Sequence, residues 1–203
     1  MADKRKKRTG RWDYLNDFDA GADGSYSYRG NIFRYEGERP YSKERLLLCL
    51  FAGLMTAAAA AAGIVPAPSM LGFGNFYVVP LYIIELVGVF LTAWAAVKLI
   101  AGGSELRSYV YEKSAAKIPH RCDFTAIAAL LCIPANVVYL CLNGFGGKPI
   151  ASVLLPVLHA AVAVTAMLLK RTVLAEKWTE LKDPKAAAVI ESAFSEAPDE
   201  EPD

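Results

Sequence analysis

Four stretches of the chain are apolar almost without interruption, at residues 46–65, 76–101, 123–145 and 150–169. They lack the period of 3.6 or 2 that marks an element half-exposed to water. Crossing the hydrocarbon core of a bilayer takes roughly 20 apolar residues in a helix, and each stretch reaches that length. The pattern predicts an all-α integral membrane protein, a four-transmembrane-helix bundle. The flanking segments add a short N-terminal β-hairpin and short C-terminal amphipathic helices on the cytoplasmic side.

The hairpin rests on Tyr26, Tyr28, Phe33 and Tyr35, which alternate with polar residues on either side of the turn-prone Arg29-Gly30-Asn31. Two isolated strands are marginal in water, so this segment would dock on the membrane face, on other cytoplasmic segments or on a partner. The other reading is an interfacial aromatic segment without fixed structure. After the fourth span, Val173 or Leu174, Trp178 and Leu181 share a helical face, which continues that helix, and Asp183-Pro184 starts a second one running to about residue 194. The domain organisation is then a basic disordered tail (1–24), an aromatic hairpin or interfacial segment (25–45), the four-helix membrane domain (46–170), a cytoplasmic helical segment (171–194) and an acidic disordered tail (195–203).

Charge orients the spans. The net charge is +1, yet the first 45 residues carry 11 Lys or Arg, while the last 13 carry six carboxylates and no base. The connection 66–75 has no Lys or Arg, and the one around 144–148 has only Lys148. The connection 103–122 carries Arg107, Lys113, Lys117 and Arg121, and more bases follow the fourth span. The excess of bases on one side places both termini and the middle connection in the cytoplasm, with the chain integral to the cytoplasmic membrane. The Lys4–Arg8 cluster can attract anionic lipid or retain the tail inside; no recognition motif accompanies it, so nucleic acid is not an expected partner.

The Asp-Tyr-Leu-Asn-Asp-Phe stretch (13–18) and the Tyr-Ser-Tyr-Arg-Gly stretch (26–30), together with four spans, resemble small four-pass bacterial membrane proteins. The resemblance implies topology and no activity. A short echo, Gly72-Phe73-Gly74 and Gly144-Phe145-Gly146, precedes the second and fourth spans.

Candidate chemistry lies inside the membrane. Glu85 is a carboxylate in an apolar span, and such groups cost enough there to mark functional positions. At 1.5 Å of rise per residue, Glu85, His159, Asn136 and Thr56 all fall roughly 14 Å below the outer surface. Helical phase puts Glu85 on a face with Tyr82, Gly88 and Thr92; Asn136 with Thr125, Ala129 and Cys132; and Thr56 with Cys49, Gly53, Ala60 and Gly63. Glu85 and His159 would form a proton-sharing or ion-pairing couple supported by Asn136, Thr56 and Tyr82. The bland alternative is that the same groups bond one another only to hold the helices together. Pro80, Pro134 and Pro156 lie within two turns of the layer and could loosen the helices there.

Other chemistry is not indicated. The chain has no HExxH, GxSxG or phosphate-binding loop, its four cysteines form no CxxC pair, and its two histidines are in different environments. No metal, cofactor or catalytic residue is expected. The leading expectation is a non-enzymatic accessory or interaction protein, working with a membrane-protein partner or as a homo-oligomer, through a cytoplasmic surface of Tyr26, Tyr28, Phe33 and Tyr35. The alternative is a small proton- or ion-coupled transporter using Glu85 and His159.

Overall fold

A computed structural model describes residues 18–20, 26–28, 30–71 and 76–181. In chain order these form β1 (Phe18–Ala20), β2 (Tyr26–Tyr28), β3 (Ile32–Tyr35), α1 (Tyr41–Ile64), α2 (Pro68–Leu71), α3 (Val78–Gly102), β4 (Glu105–Arg107), α4 (Ser108–Lys113), α5 (Ile118–Asn143), α6 (Pro149–Ala175) and β5 (Trp178–Leu181). The four long helices have 24, 25, 26 and 27 residues. At 1.5 Å per residue each is about 36–40 Å long, more than the roughly 30 Å of hydrocarbon, and all four are apolar enough to cross a membrane.

The helices pack as a ring, α1 against α3, α3 against α5, α5 against α6 and α6 against α1. Successive spans are therefore antiparallel neighbours, as short connections dictate. The core is built largely from small residues, among them Ala52, Ala59, Ala95, Ala96, Ala129 and Ala166, with Leu48, Met55, Leu99 and Leu169 filling the gaps. Large apolar side chains such as Leu46, Phe90, Trp94, Ile127 and Val164 stay exposed on the outside. That inversion of size suits a bundle in lipid, where small residues let backbones approach and bulky ones meet acyl chains.

Helix ends follow local chemistry. Pro40 is the N-cap of α1 and Glu44 sits in the first turn, where a carboxylate favours the positive end of the helix dipole. Pro119 and Pro149 occupy the first turns of α5 and α6, where no backbone N–H is needed. Gly103 and Gly144 end α3 and α5 with φ of 79° and 69°, values that favour glycine. Pro134 and Pro156 stand inside α5 and α6, which run through them as single helices.

One end of the bundle is capped by an antiparallel sheet in the order β4-β3-β5. Phe33 pairs with Leu106 on one side and Glu180 on the other, and Tyr35 pairs with Trp178. The two aromatic side chains share the face turned to the bundle: Phe33 stacks on Tyr111 at 4.0 Å, and Tyr35 meets Tyr41 at 5.4 Å and Trp178 at 5.6 Å. Leu106, on β4, is buried in the core; a Cβ on Gly102 would come within 2.2 Å of its Cδ2, so glycine is what admits it. On the opposite face Arg34 and Glu105 pair at 3.0 Å.

This sheet corrects two expectations. Tyr26–Tyr28 does not pair with Ile32–Tyr35; it pairs with Phe18–Ala20, while Ile32–Tyr35 is the central strand of the sheet. Local alternation marked these strands but cannot reveal partners more than 70 residues away. Likewise, the helix of span four ends at Ala175, and Trp178–Leu181 is a strand. Trp178 turns its ring to the bundle beside Tyr35, while Leu181, opposite Ile32, lies on the other face of the sheet. Within the segment expected as a disordered basic tail (1–24), residues 18–20 are the strand β1; the rest of that tail, the acidic tail, the Gly72-Phe73-Gly74 turn and the helix expected from Asp183 lie outside the described residues.

Candidate functional site

At mid-bundle α3 and α6 bring Glu85 and His159 together. Glu85 Oε2 lies 2.6 Å from His159 Nδ1, and both side chains are 0% exposed. The contact is close but not aligned as a regular hydrogen bond; Glu85 Oε1 and His159 Nε2 also have no hydrogen-bond partner among the described residues. Two buried titratable groups left with spare bonding capacity are costly in a folded core, and cost of that kind marks a place where function competes with stability.

Three neighbours shape the pair. The Tyr82 ring packs edge-on to the imidazole at 6.0 Å, and its hydroxyl donates to the Ala59 carbonyl at 2.9 Å, which ties α3 to α1. Cys132, on α5, completes a set in which a carboxylate oxygen, a thiol sulfur and an imidazole nitrogen all lie within 4.8 Å of one another. Those three atom types suit a transition-metal ion such as zinc, which Glu85, Cys132 and His159 would hold. One turn along α5, the Asn136 amide donates to the Cys132 carbonyl at 2.9 Å and accepts from the Ser69 hydroxyl at 2.7 Å.

Toward the sheet-capped end the polar layer continues. Thr92 on α3 and Thr125 on α5 are buried with their hydroxyls 3.0 Å apart, and Thr125 also donates to the Arg121 carbonyl. A Cβ on Gly88 would meet Thr125 Oγ1 at 2.9 Å, so glycine sets the close approach of α3 and α5 beside the pair.

Thr56 does not join the layer. It is exposed, and its hydroxyl donates to the Ala52 carbonyl of its own helix. The whole stripe Cys49, Gly53, Thr56, Ala60 and Gly63 is exposed, and α1 instead buries Glu44, Leu48, Ala52, Met55, Ala59 and Ala62. In an alanine-rich helix hydropathy hardly distinguishes faces, and filling the core volume with Leu48 and Met55 decides the rotation. Ser69 and Cys132 were the members that sequence reasoning missed. Cys132 shares a face with Asn136, which was a usable signal; Ser69, in a connection, offered none.

A second buried acidic cluster lies under the sheet. Glu44 and Glu176 are drawn together with Tyr35, Tyr41 and Trp178, and Trp178 Nε1 donates to Glu176 Oε2 at 2.9 Å. Arg39 approaches Glu44 Oε1 at 3.6 Å, but Glu44 Oε2 and Glu176 Oε1 are buried without partners among the described residues. Burial, and then the charge of Glu44, outweigh the Trp178 bond and push the Glu176 carboxyl up from 4.5 to about 7. Phe33 and Tyr35 are half-buried and engaged inward, so the surface expected from them is spent on the fold itself. Of Tyr26 and Tyr28 only the strand pairing is described.

Comparison with known proteins yields no match among family models, curated proteins or solved structures.

Proposed function

We propose that this chain is a small proton- or ion-coupled membrane transporter working through the Glu85–His159 couple. The observation that carries this reading is the 2.6 Å contact between two fully buried titratable side chains. An acid and an imidazole that close form a donor–acceptor couple through which a proton can pass, and Glu85 Oε1 and His159 Nε2, without hydrogen-bond partners among the described residues, offer further sites for a proton or a cation. A purely structural pair would gain more stability from apolar replacements than from two incompletely bonded polar groups. Four helices enclose little space, so the reading includes assembly of several copies.

On this reading the sheet lies in the cytoplasm and the protein sits in the cytoplasmic membrane. The supporting feature is that the base-rich segments preceding α1, joining α3 to α5 and following α6 meet in one sheet.

The test is a pH-gradient-driven flux measurement in proteoliposomes. Glu85→Gln and His159→Gln are each expected to abolish a flux that the wild type supports, with folding intact by circular dichroism. If both variants behave as the wild type, and removal of residues 1–29 instead eliminates the cellular phenotype, the protein is a non-enzymatic accessory to a partner. That truncation spares β3, which a cut at residue 40 would destroy.

A further inference from the structure

Between α3 and the start of α5 an open cavity of about 440 Å³ faces the exterior of the bundle, lined by Gly88, Leu91, Phe124, Lys117, His120 and Arg121. Its volume is that of a small-molecule site. Its two ends differ in chemistry. Toward mid-bundle the lining is apolar, with Phe124 over the gap left by Gly88. Toward the sheet-capped end Lys117, His120 and Arg121 border it, and among the described residues no carboxylate lies within ion-pair distance of any of them. The Arg121 guanidinium donates at 2.8 Å to the Leu91 carbonyl, which fixes it across the groove, while Lys117 and His120 are exposed.

We infer that this groove is a binding site for an anionic phospholipid of the adjoining leaflet, its phosphate held by Lys117, His120 and Arg121 and an acyl chain laid over Gly88 between Leu91 and Phe124. Charge complementarity selects this occupant. A surface that meets hydrocarbon at one end and carries Lys117 and Arg121, without ion-pair partners among the described residues, toward the helix ends matches a lipid's own gradient from acyl chain to phosphate. An apolar protein partner would leave the Lys117 and Arg121 charges unanswered, and a free phosphate would leave the apolar half uncovered. The arrangement does not depend on what Glu85 and His159 do.

Native mass spectrometry of the full chain, delipidated in detergent and titrated with phosphatidylglycerol or phosphatidylcholine of identical chains, tests the assignment. The wild type is expected to retain phosphatidylglycerol preferentially. Lys117→Ser should lower that preference about fivefold, the step expected of one base at a membrane surface. Leu91→Trp, which fills the apolar half and leaves the bases in place, should abolish retention at this site. Arg121 is left unchanged because its bond to α3 also serves the fold. Equal retention of the two lipids, undiminished retention by Leu91→Trp, release of the lipid by millimolar inorganic phosphate, or a dimer that closes the groove without lipid would each overturn the assignment.

Discussion

Truncating Glu85 to alanine takes away the carboxylate 2.6 Å from the His159 imidazole at a position with 0% exposure. Breaking a buried pair in this way typically costs about 3–5 kcal/mol, so Glu85→Ala should lower the thermal midpoint in detergent markedly. The double variant Glu85→Leu/His159→Leu removes both polar groups together and should recover most of that loss while transporting nothing. If the double variant is instead as unstable as the single one, the pair is a structural requirement and its spare valences have no further meaning. A separate expectation concerns Glu176. Its carboxyl is raised from 4.5 to about 7 by burial and by Glu44, so the protonated form is the one the fold favours. Its contribution to stability is fully present below 4.5 and is lost as the pH rises through about 7. Because Trp178 donates to this carboxylate, Trp178 fluorescence should change with a midpoint near 7, and Glu176→Gln should flatten the curve.

Elements meet here through glycine, and the approach of α3 to α5 shows why. A Cβ at position 88 would lie 2.9 Å from Thr125 Oγ1 and 3.1 Å from Phe124 Cδ1. Thr125 cannot swing away without losing its bonds to Arg121 and Thr92. Gly88→Ala is therefore expected to destabilise the protein by about 1–3 kcal/mol, the usual cost of overpacking, read as a lowered thermal midpoint. Thr125→Ala in the same background should restore part of it, since the clash is with that hydroxyl. Additive losses in the two variants would place the strain elsewhere. The sheet makes a different point about elements. Its strands have three or four residues each and would not persist alone, yet Phe33, Tyr111 and Trp178 pack against the end of the helical core, which supplies the burial that the strands lack.

For the whole molecule the outstanding quantity is orientation, and burial determines which positions can report it. Ser69 is 3% exposed and Cys122 is 0% exposed, so neither thiol chemistry at Ser69 nor the native Cys122 can distinguish one side from the other. Lys148, in the connection between α5 and α6, and Lys113, in the α4 segment before α5, are both exposed. In a cysteine-free background, Lys148→Cys in intact cells should react with an impermeant reagent, and Lys113→Cys should react only after lysis. The reverse result would invert the orientation and move the basic groove to the outer leaflet.

Span number, span length and the presence of a buried carboxylate and imidazole were legible in the order of residues alone. Hydrocarbon thickness fixes how long an apolar run must be, and no ionisable side chain in such a run goes unnoticed. Depth along each helix was legible as well, because rise per residue is constant, and it placed Glu85 and His159 correctly relative to each other. Rotation about the helix axis was legible where a helix carries strongly polar groups, as in α3 and α5, and failed in α1, where alanine presents nearly the same surface on every side. Only packing settled that Thr56 turns out and Met55 turns in. Only the folded chain could show that Cys132 completes the Glu85–His159 group, that Ser69 reaches down to Asn136, and that strands from three distant segments make one sheet. Strand partners are chosen by backbone hydrogen bonds and shared burial, and neither leaves a mark on the local sequence.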